Sequence, residues 1–345
     1  MNTRNMISTI HLHLLTTALL MLVVSGCDYL GSNTTEEITD EELEMAGQII
    51  ASSLSDDGGG VLATLYDAVS EVEETGIRYD RPVLDDEAAP RYEPYRDGKH
   101  GHNGGPGREH RPGHESDTTR GPESGFEAHY NPDTGEHTVR FVRQFEGPFR
   151  SKSLKVHYVY IYTDIEGAFL QFPRRQQDLI ETIDFKGIRE GSISTEARSN
   201  TFFRADTLFL DGVSSATPIL TLEGTHYGNG EMEVHLERLN RLTNRSYEVF
   251  FEMQDIRMDK EVVRESGSLE DGITGFINYR LHMSATINGE LRERELSGVI
   301  ELAGDGTALL RFEKVQQFFR IALGDGTVTR SDHHNAGPAR SRAKR

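Results

Sequence analysis

His157-Tyr158-Val159-Tyr160-Ile161-Tyr162 is a run of aromatic and β-branched residues, the side chains that fit a pleated, half-covered surface best. Its period of two puts Tyr158, Tyr160 and Tyr162 on one face and His157, Val159 and Ile161 on the other. Runs of the same kind recur at Thr217–Glu223, Glu231–Glu237, Tyr247–Met253, Phe276–Ile287, Leu291–Leu302 and Ala308–Val315. The links between them are short and carry turn residues. Asn288-Gly289 is a two-residue type I′ signal, because both central positions must tolerate positive φ. Gly228-Asn229-Gly230, Asn131-Pro132-Asp133-Thr134-Gly135 and Gly304-Asp305-Gly306 read as further hairpin turns. Links this short make neighbouring strands antiparallel, since parallel neighbours need a long crossover. The expected fold is therefore mainly β: a large antiparallel meander sheet, as a curled half-barrel, barrel or sandwich, preceded by a short N-terminal αα-hairpin. Gly224 and Gly298 mark expected bulges or bends, and the doublets Phe202-Phe203 and Phe318-Phe319 suggest strands covered on both faces.

Upstream of the strands, the periodicity changes to that of helices. Thr39-Asp40-Glu41-Glu42 has capping-box spacing, and Leu43, Ala46, Ile49, Ile50 and Leu54 then recur on one face until Asp56-Asp57-Gly58-Gly59-Gly60. Leu62, Leu65, Val69 and Val72 form a second stripe that ends at Gly76. Each stripe is too narrow to stand alone, so the pair is expected to dock on the β domain. Prolines and glycines among charged residues, with few aliphatics after Leu84, read as a disordered linker. The expected division is a signal segment 1–26, a tether 27–37, a helical hairpin 38–76, a linker 77–125, a β domain 126–328 and a basic tail 329–345.

Lys and Arg number 37 against 56 Asp and Glu, a net charge of −19, which excludes a general nucleic-acid binder. The chain has one cysteine, so neither an intrachain disulfide nor a multi-cysteine metal site can form. That cysteine follows Arg4 and an apolar stretch from Leu14 to Val24 that is short for a bilayer span and has the layout of a secretory signal. Val24-Ser25-Gly26-Cys27 resembles the lipobox of bacterial lipoproteins. The resemblance covers residues 1–27 and implies cleavage before Cys27, palmitate-type acylation of that residue, and anchorage of the mature chain in a membrane of the cell envelope by more than one acyl chain. The outer membrane is the favoured destination and the inner membrane the alternative, because Asp28 resembles a retention signal of enteric bacteria.

Residues with reactive side chains are present, but no recognised catalytic spacing is. Thr225-His226-Tyr227-Gly228-Asn229-Gly230-Glu231 is the best cluster for acid–base work, with His226 and Glu231 as weak catalytic candidates. His100, His102, His110 and His114 have spacings that could hold a transition metal, as weak candidates within a Gly-diluted segment. Gly304-Asp305-Gly306-Thr307 and Gly324-Asp325-Gly326-Thr327 invite a calcium reading, but Asp-Gly is also what a tight turn requires. No cofactor is implied. The sequence favours a non-catalytic binding or structural module of the envelope, anchored through Cys27, with an envelope protein, a glycan or a lipid as candidate partners. The alternatives are a carrier of lipid or another amphiphile in a curved-sheet cavity and, more weakly, an envelope hydrolase.

Overall fold

The computed structural model describes residues 38–73, 76–82, 123–195, 198–214, 216–236, 241–287 and 290–331. Two helices, α1 (Asp40–Leu54) and α2 (Val61–Ala68), come first. The strands β1 (Ser70–Glu73) and β2 (Gly76–Pro82) form a separate two-stranded sheet. Twelve strands then pair strictly with their sequence neighbours: β3 (Glu123–Asn131), β4 (Glu136–Glu146), β5 (Arg150–Thr163), β6 (Thr182–Thr195), β7 (Arg198–Asp211), β8 (Ile219–Leu236), β9 (Arg241–Asp259), β10 (Ile273–Ile287), β11 (Glu290–Ala303), β12 (Thr307–Phe312), β13 (Phe318–Ala322) and β14 (Val328–Ser331). The short helices α3 (Lys260–Ser266) and α4 (Leu269–Gly272) connect β9 to β10. The sheet is an open antiparallel meander, not closed into a barrel.

Burial alternates along the strands. On β5, Leu154, Val156, Tyr158, Tyr160 and Tyr162 are buried, and β6, β7, β10 and β12 show the same alternation. The expected tyrosine ladder therefore faces the interior. What covers it is the helical pair: Leu43, Met45, Ala46, Ile49, Ile50, Leu62 and Leu65 are all essentially inaccessible. Burial of α1 extends well beyond one stripe, since Gly47 approaches Val328 and Phe319 on one side while Ser52 meets β7 on another. Such a helix is surrounded rather than laid on a surface.

The surrounding is done by curling the sheet. β7 and β13 are six strands apart, roughly 28 Å in a flat sheet. Yet Arg198, at the start of β7, donates to the carbonyl of Asp325 in the β13–β14 turn at 3.5 Å. Asp57, after α1, bridges a wider gap, from β5 to the same turn: its N–H donates to Gly324 O at 2.9 Å and its carbonyl accepts from Arg150 of β5 at 2.8 Å. Curling crowds the concave side, and small residues relieve the crowding. At Gly187 the space a Cβ would take is filled by the rings of Phe185 and Tyr158.

Several boundaries differ from the sequence reading. The second helix stops at Ala68 rather than Gly76; Val72 lies in β1, and β2 occupies the start of the expected linker. Residues 83–122, the bulk of that linker, lie outside the described residues. Gly228-Asn229-Gly230 is not a hairpin turn: β8 runs straight through it, paired on both sides. Of the two expected bends, the break near Gly224 is a bulge on the facing strand β9, where Asp255 has φ 55°, while Gly298 pairs without interruption. Gly298 instead gives passage to the Tyr279 hydroxyl, which donates to Arg311 O at 3.2 Å. β14 carries the sheet to Ser331, three residues into the expected tail. The turns at Asn131–Gly135 and Gly304–Gly306 are formed as read, with Gly135, Gly304 and Gly306 at positive φ. β10 and β11 pair from Ile287–Glu290 onward, around Asn288-Gly289, which is outside the described residues.

Replacing Ile50, fully buried on α1, with alanine is expected to lower the unfolding free energy by about 2–5 kcal/mol in urea titrations. Phe276→Ala, on the exposed outer face, is expected to change it by about 0.5 kcal/mol or less.

Candidate functional site

The interface between the helical pair and the concave face of the sheet holds the largest concentration of buried charge among the described residues. α1 ends inside the molecule, and carbonyls of its last turn and of the loop to α2 have no intrahelical donor. Arg204 of β7 supplies two: its guanidinium donates to Ser52 O at 3.0 Å and to Gly58 O at 2.7 Å. A cation at this end also complements the helix dipole. Beside it, Asn200 donates to the Ser52 hydroxyl at 3.2 Å and accepts from the Tyr247 hydroxyl at 3.2 Å. Arg189 of β6 donates to Gly60 O at 2.9 Å, to Thr64 Oγ1 and to Asp206 Oδ2 at 3.2 Å.

Asp206 is the centre of this cluster. Its two oxygens meet the Thr64 hydroxyl at 2.7 Å, Arg189, and His226 Nδ1 at 2.6 Å, and the Asp206 and His226 side chains have no solvent exposure. Burial alone would raise the Asp206 pKa, but His226, Arg189 and Thr64 outweigh it and hold the carboxyl at about 2. Burial pushes His226 below its ordinary value, against the pull of Asp206. The pair is thus a carboxylate and a neutral imidazole, which assigns the Nδ1 proton to the hydrogen bond. Burial draws Arg204 down to about 10, still far above neutral pH, so it remains a cation.

A second knot ties α2 to the adjoining strands β4 and β5. Asp67 accepts from the Tyr158 hydroxyl through its carboxylate and from Tyr160 through its carbonyl at 3.0 Å, with Arg143 at 4.0 Å. Burial, followed by the Asp67 charge, pushes the Tyr158 phenol well above its usual range. Outer contacts complete the attachment: Arg294 meets Glu42 at 2.8 Å, and Tyr66 donates to Glu270 at 2.5 Å.

Thr64, Asp206 and His226 are the ingredients of a hydrolytic triad in the wrong order. Activation of a hydroxyl requires the imidazole between nucleophile and acid. Here the carboxylate lies between, and Thr64 donates to Asp206 rather than to a base. The geometry clamps helices to sheet and does not prepare a nucleophile. The candidate acid–base pair of the sequence, His226 and Glu231, is not brought together either: His226 points inward from β8, and Glu231, five residues on, is exposed on the outer face. Asp305 and Asp325 each accept the N–H of the threonine two residues later, at 3.1 and 2.7 Å, which is turn chemistry. His100, His102, His110, His114, and the lipobox residues Val24, Ser25, Gly26 and Cys27, lie outside the described residues. Among the described residues no group of three potential metal ligands assembles, and no helix is long and apolar enough to cross a membrane.

The outer face carries a different feature, an open groove of about 550 Å³ across β10, β11 and β12. Phe276 and Val299 give it apolar walls, and Asn278, Ser297, Arg311 and Glu313 a polar rim. Arg311 is tied to Glu301 at 2.5 Å and Glu313 to Ser297 at 2.5 Å, so the rim is ordered by its own contacts.

Arg189, Arg204 and Asp206 belong to no reactive motif, and the sequence does not single them out as site residues. Their one signal is phase: Arg204 and Asp206 share the inward positions of β7 with Phe202, Leu208 and Leu210. Comparison of the chain with family models, curated proteins and solved structures gives no match.

Asp206→Asn removes one member of a buried charge network and is expected to cost about 3–5 kcal/mol of stability. The two titrating groups act in the same direction. Asp206 is held below its unfolded value of 3.8, so its contribution is whole above that pH and is lost as the pH falls toward 2. His226 is held below 6.5, so the unfolded chain takes up a proton that the fold refuses, and stability declines as the pH falls below 6.5. In urea titrations across pH, His226→Gln is expected to reduce that decline by up to about 1.4 kcal/mol per unit. The residual slope belongs to groups such as His137, also lowered by burial.

Proposed function

We propose that the chain is a lipid-anchored lipoprotein of the bacterial cell envelope, acylated at Cys27, whose β domain is a non-catalytic binding module. The observation that carries the reading is Val24-Ser25-Gly26-Cys27, which places the chain's single cysteine at the end of a signal-like apolar run. A thioether-linked diacylglycerol with a further acyl chain gives stable attachment where one chain would be marginal. The outer membrane is the proposed location, with the inner membrane as the alternative set by Asp28. The net charge of −19 favours a body that stands off anionic lipid and meets its partner through a tether.

Two features of the body support binding over chemistry or carriage. Its most reactive-looking residues, Thr64, Asp206 and His226, are consumed in holding α1 and α2. The concave face, where a carrier would keep its cargo, is filled by side chains of those helices. The partner is therefore expected on the outer surface of the sheet.

Growth of cells expressing the chain with radiolabelled palmitate is expected to label it and to recover it in the detergent phase of a phase partition. Cys27→Ala should abolish the label and shift the chain to the aqueous phase. Label retained by Cys27→Ala would overturn the assignment. Lipid co-purifying in fixed ratio after mild extraction would favour carriage over the binding module.

A further inference from the structure

β12 covers only half of its neighbour. Gly298–Leu302 of β11 pair with β12, whereas Glu290–Leu296 pair with β10 alone. The last contact on the open side is the N–H of Glu313 donating to Ser297 O at 2.9 Å. Backbone groups of alternate residues in a strand point to alternate sides. Ser297 facing the β12 side therefore places the N–H and C=O groups of Leu291, Glu293 and Glu295 on that side as well. Among the described residues no backbone group pairs with them; the Glu293 carbonyl accepts only from the Arg294 guanidinium, at 3.3 Å. Their side chains stand on the outer face, with Leu291 68% exposed and Glu293 and Glu295 exposed.

Open edges are ordinarily blunted by proline, by bulges, by shortness, or by charged side chains that turn away strands of like charge. The outermost strands follow that rule. β3 has a register break between Ser124 and Glu127, and β14 is four residues long. The free half of β11 has no proline and its pairing with β10 is unbroken; its protection is charge, since the exposed Glu293 and Glu295 repel an acidic strand and admit a cationic one. It also ends at the outer groove, where Ser297 and Glu313 form the near rim and Phe276, 60% exposed, a wall.

We propose that Leu291–Ser297 accepts an extended peptide strand of a partner protein, which occupies the line of the missing half of β12. Main-chain hydrogen bonds to Leu291, Glu293 and Glu295 provide the attachment, as in strand addition generally. Side chains provide the selection. Glu293 and Glu295 project from one face two residues apart, so the incoming strand carries Lys or Arg at alternate positions opposite them, with an apolar residue opposite Leu291. The acidic body favours the same cationic partner. The groove receives an apolar side chain where the added strand meets Glu313. This inference deepens the binding-module reading by naming the partner's chemistry. Its test is independent of acylation, so failure here leaves the Cys27 assignment standing.

The probe is a fluorescent peptide with lysine at two positions two residues apart and valine at the others, titrated by anisotropy into the full-length chain in detergent. Saturable binding is expected, weakened about tenfold or more by the double variant Glu293→Lys with Glu295→Lys. Glu293→Pro should have a similar effect, because it removes an N–H on the open side and leaves the β10 ladder intact. A peptide with alternate amides N-methylated should not bind. Equal binding of a peptide with glutamate in place of lysine, or of the N-methylated peptide, would overturn the proposal. So would full affinity in both variants; if Glu293→Pro does not fold, the double lysine variant decides. Binding seen only when Arg340, Arg342, Lys344 and Arg345 are changed to glutamate would mean that the chain's own C-terminal segment is the occupant, and would overturn the external partner.

Discussion

The fold depends on how the end of a helix is satisfied in a dry interior. Ser52, Gly58 and Gly60 present carbonyl oxygens where water does not reach, and an unpaired carbonyl there costs as much as a lost hydrogen bond. Two arginines of the sheet, Arg204 and Arg189, supply the donors. Their charges then need a counter-charge at the same depth, which is Asp206; Asp206 in turn needs donors, which are Thr64 and His226. Each buried polar group is thus explained by the one before it, back to the point at which α1 stops.

The same arrangement accounts for the sheet's shape. A flat meander of this width would leave its tyrosine face open to water along most of its length. Curling brings β5 and the β13–β14 turn to opposite sides of one loop, so that Asp57 touches both. The outer face keeps the polar and charged partners of the alternation and needs no second layer. Phe203, the outward member of its doublet, is half-buried against Tyr227 at 6.4 Å rather than covered by another element.

Much of this architecture was legible in the chain. The tyrosine ladder, the Gly-Asp-Gly turn and the apolar stripe of α1 each carry a local signal that the structure obeys. What was not legible arises from distant neighbours. Gly228 and Gly230 look like a turn in isolation, but they are glycines because the concave face has no room: a Cβ at Gly228 would lie 3.1 Å from both His226 Nε2 and Val249. β6 and β7 were harder to see, because Arg189, Arg204 and Asp206 interrupt their apolar phase, and those residues make sense only once the helix end facing them is known. The clamp was invisible as a motif for that reason. Its members come from α2, β6, β7 and β8, and only packing assembles them.

Strictly sequential pairing has a consequence for how the molecule can be made. Each strand finds its neighbour as soon as the next segment appears, so the sheet can grow in the order of synthesis. The helices cannot be sealed in that order. The N–H groups of Asp56 and Asp57 find their acceptors at Leu323 and Gly324, and Asp40 meets Arg330 at 3.0 Å. The first helices of the body therefore wait, with their apolar surface uncovered, until the last strands emerge, and a nascent chain would need protection over that whole interval.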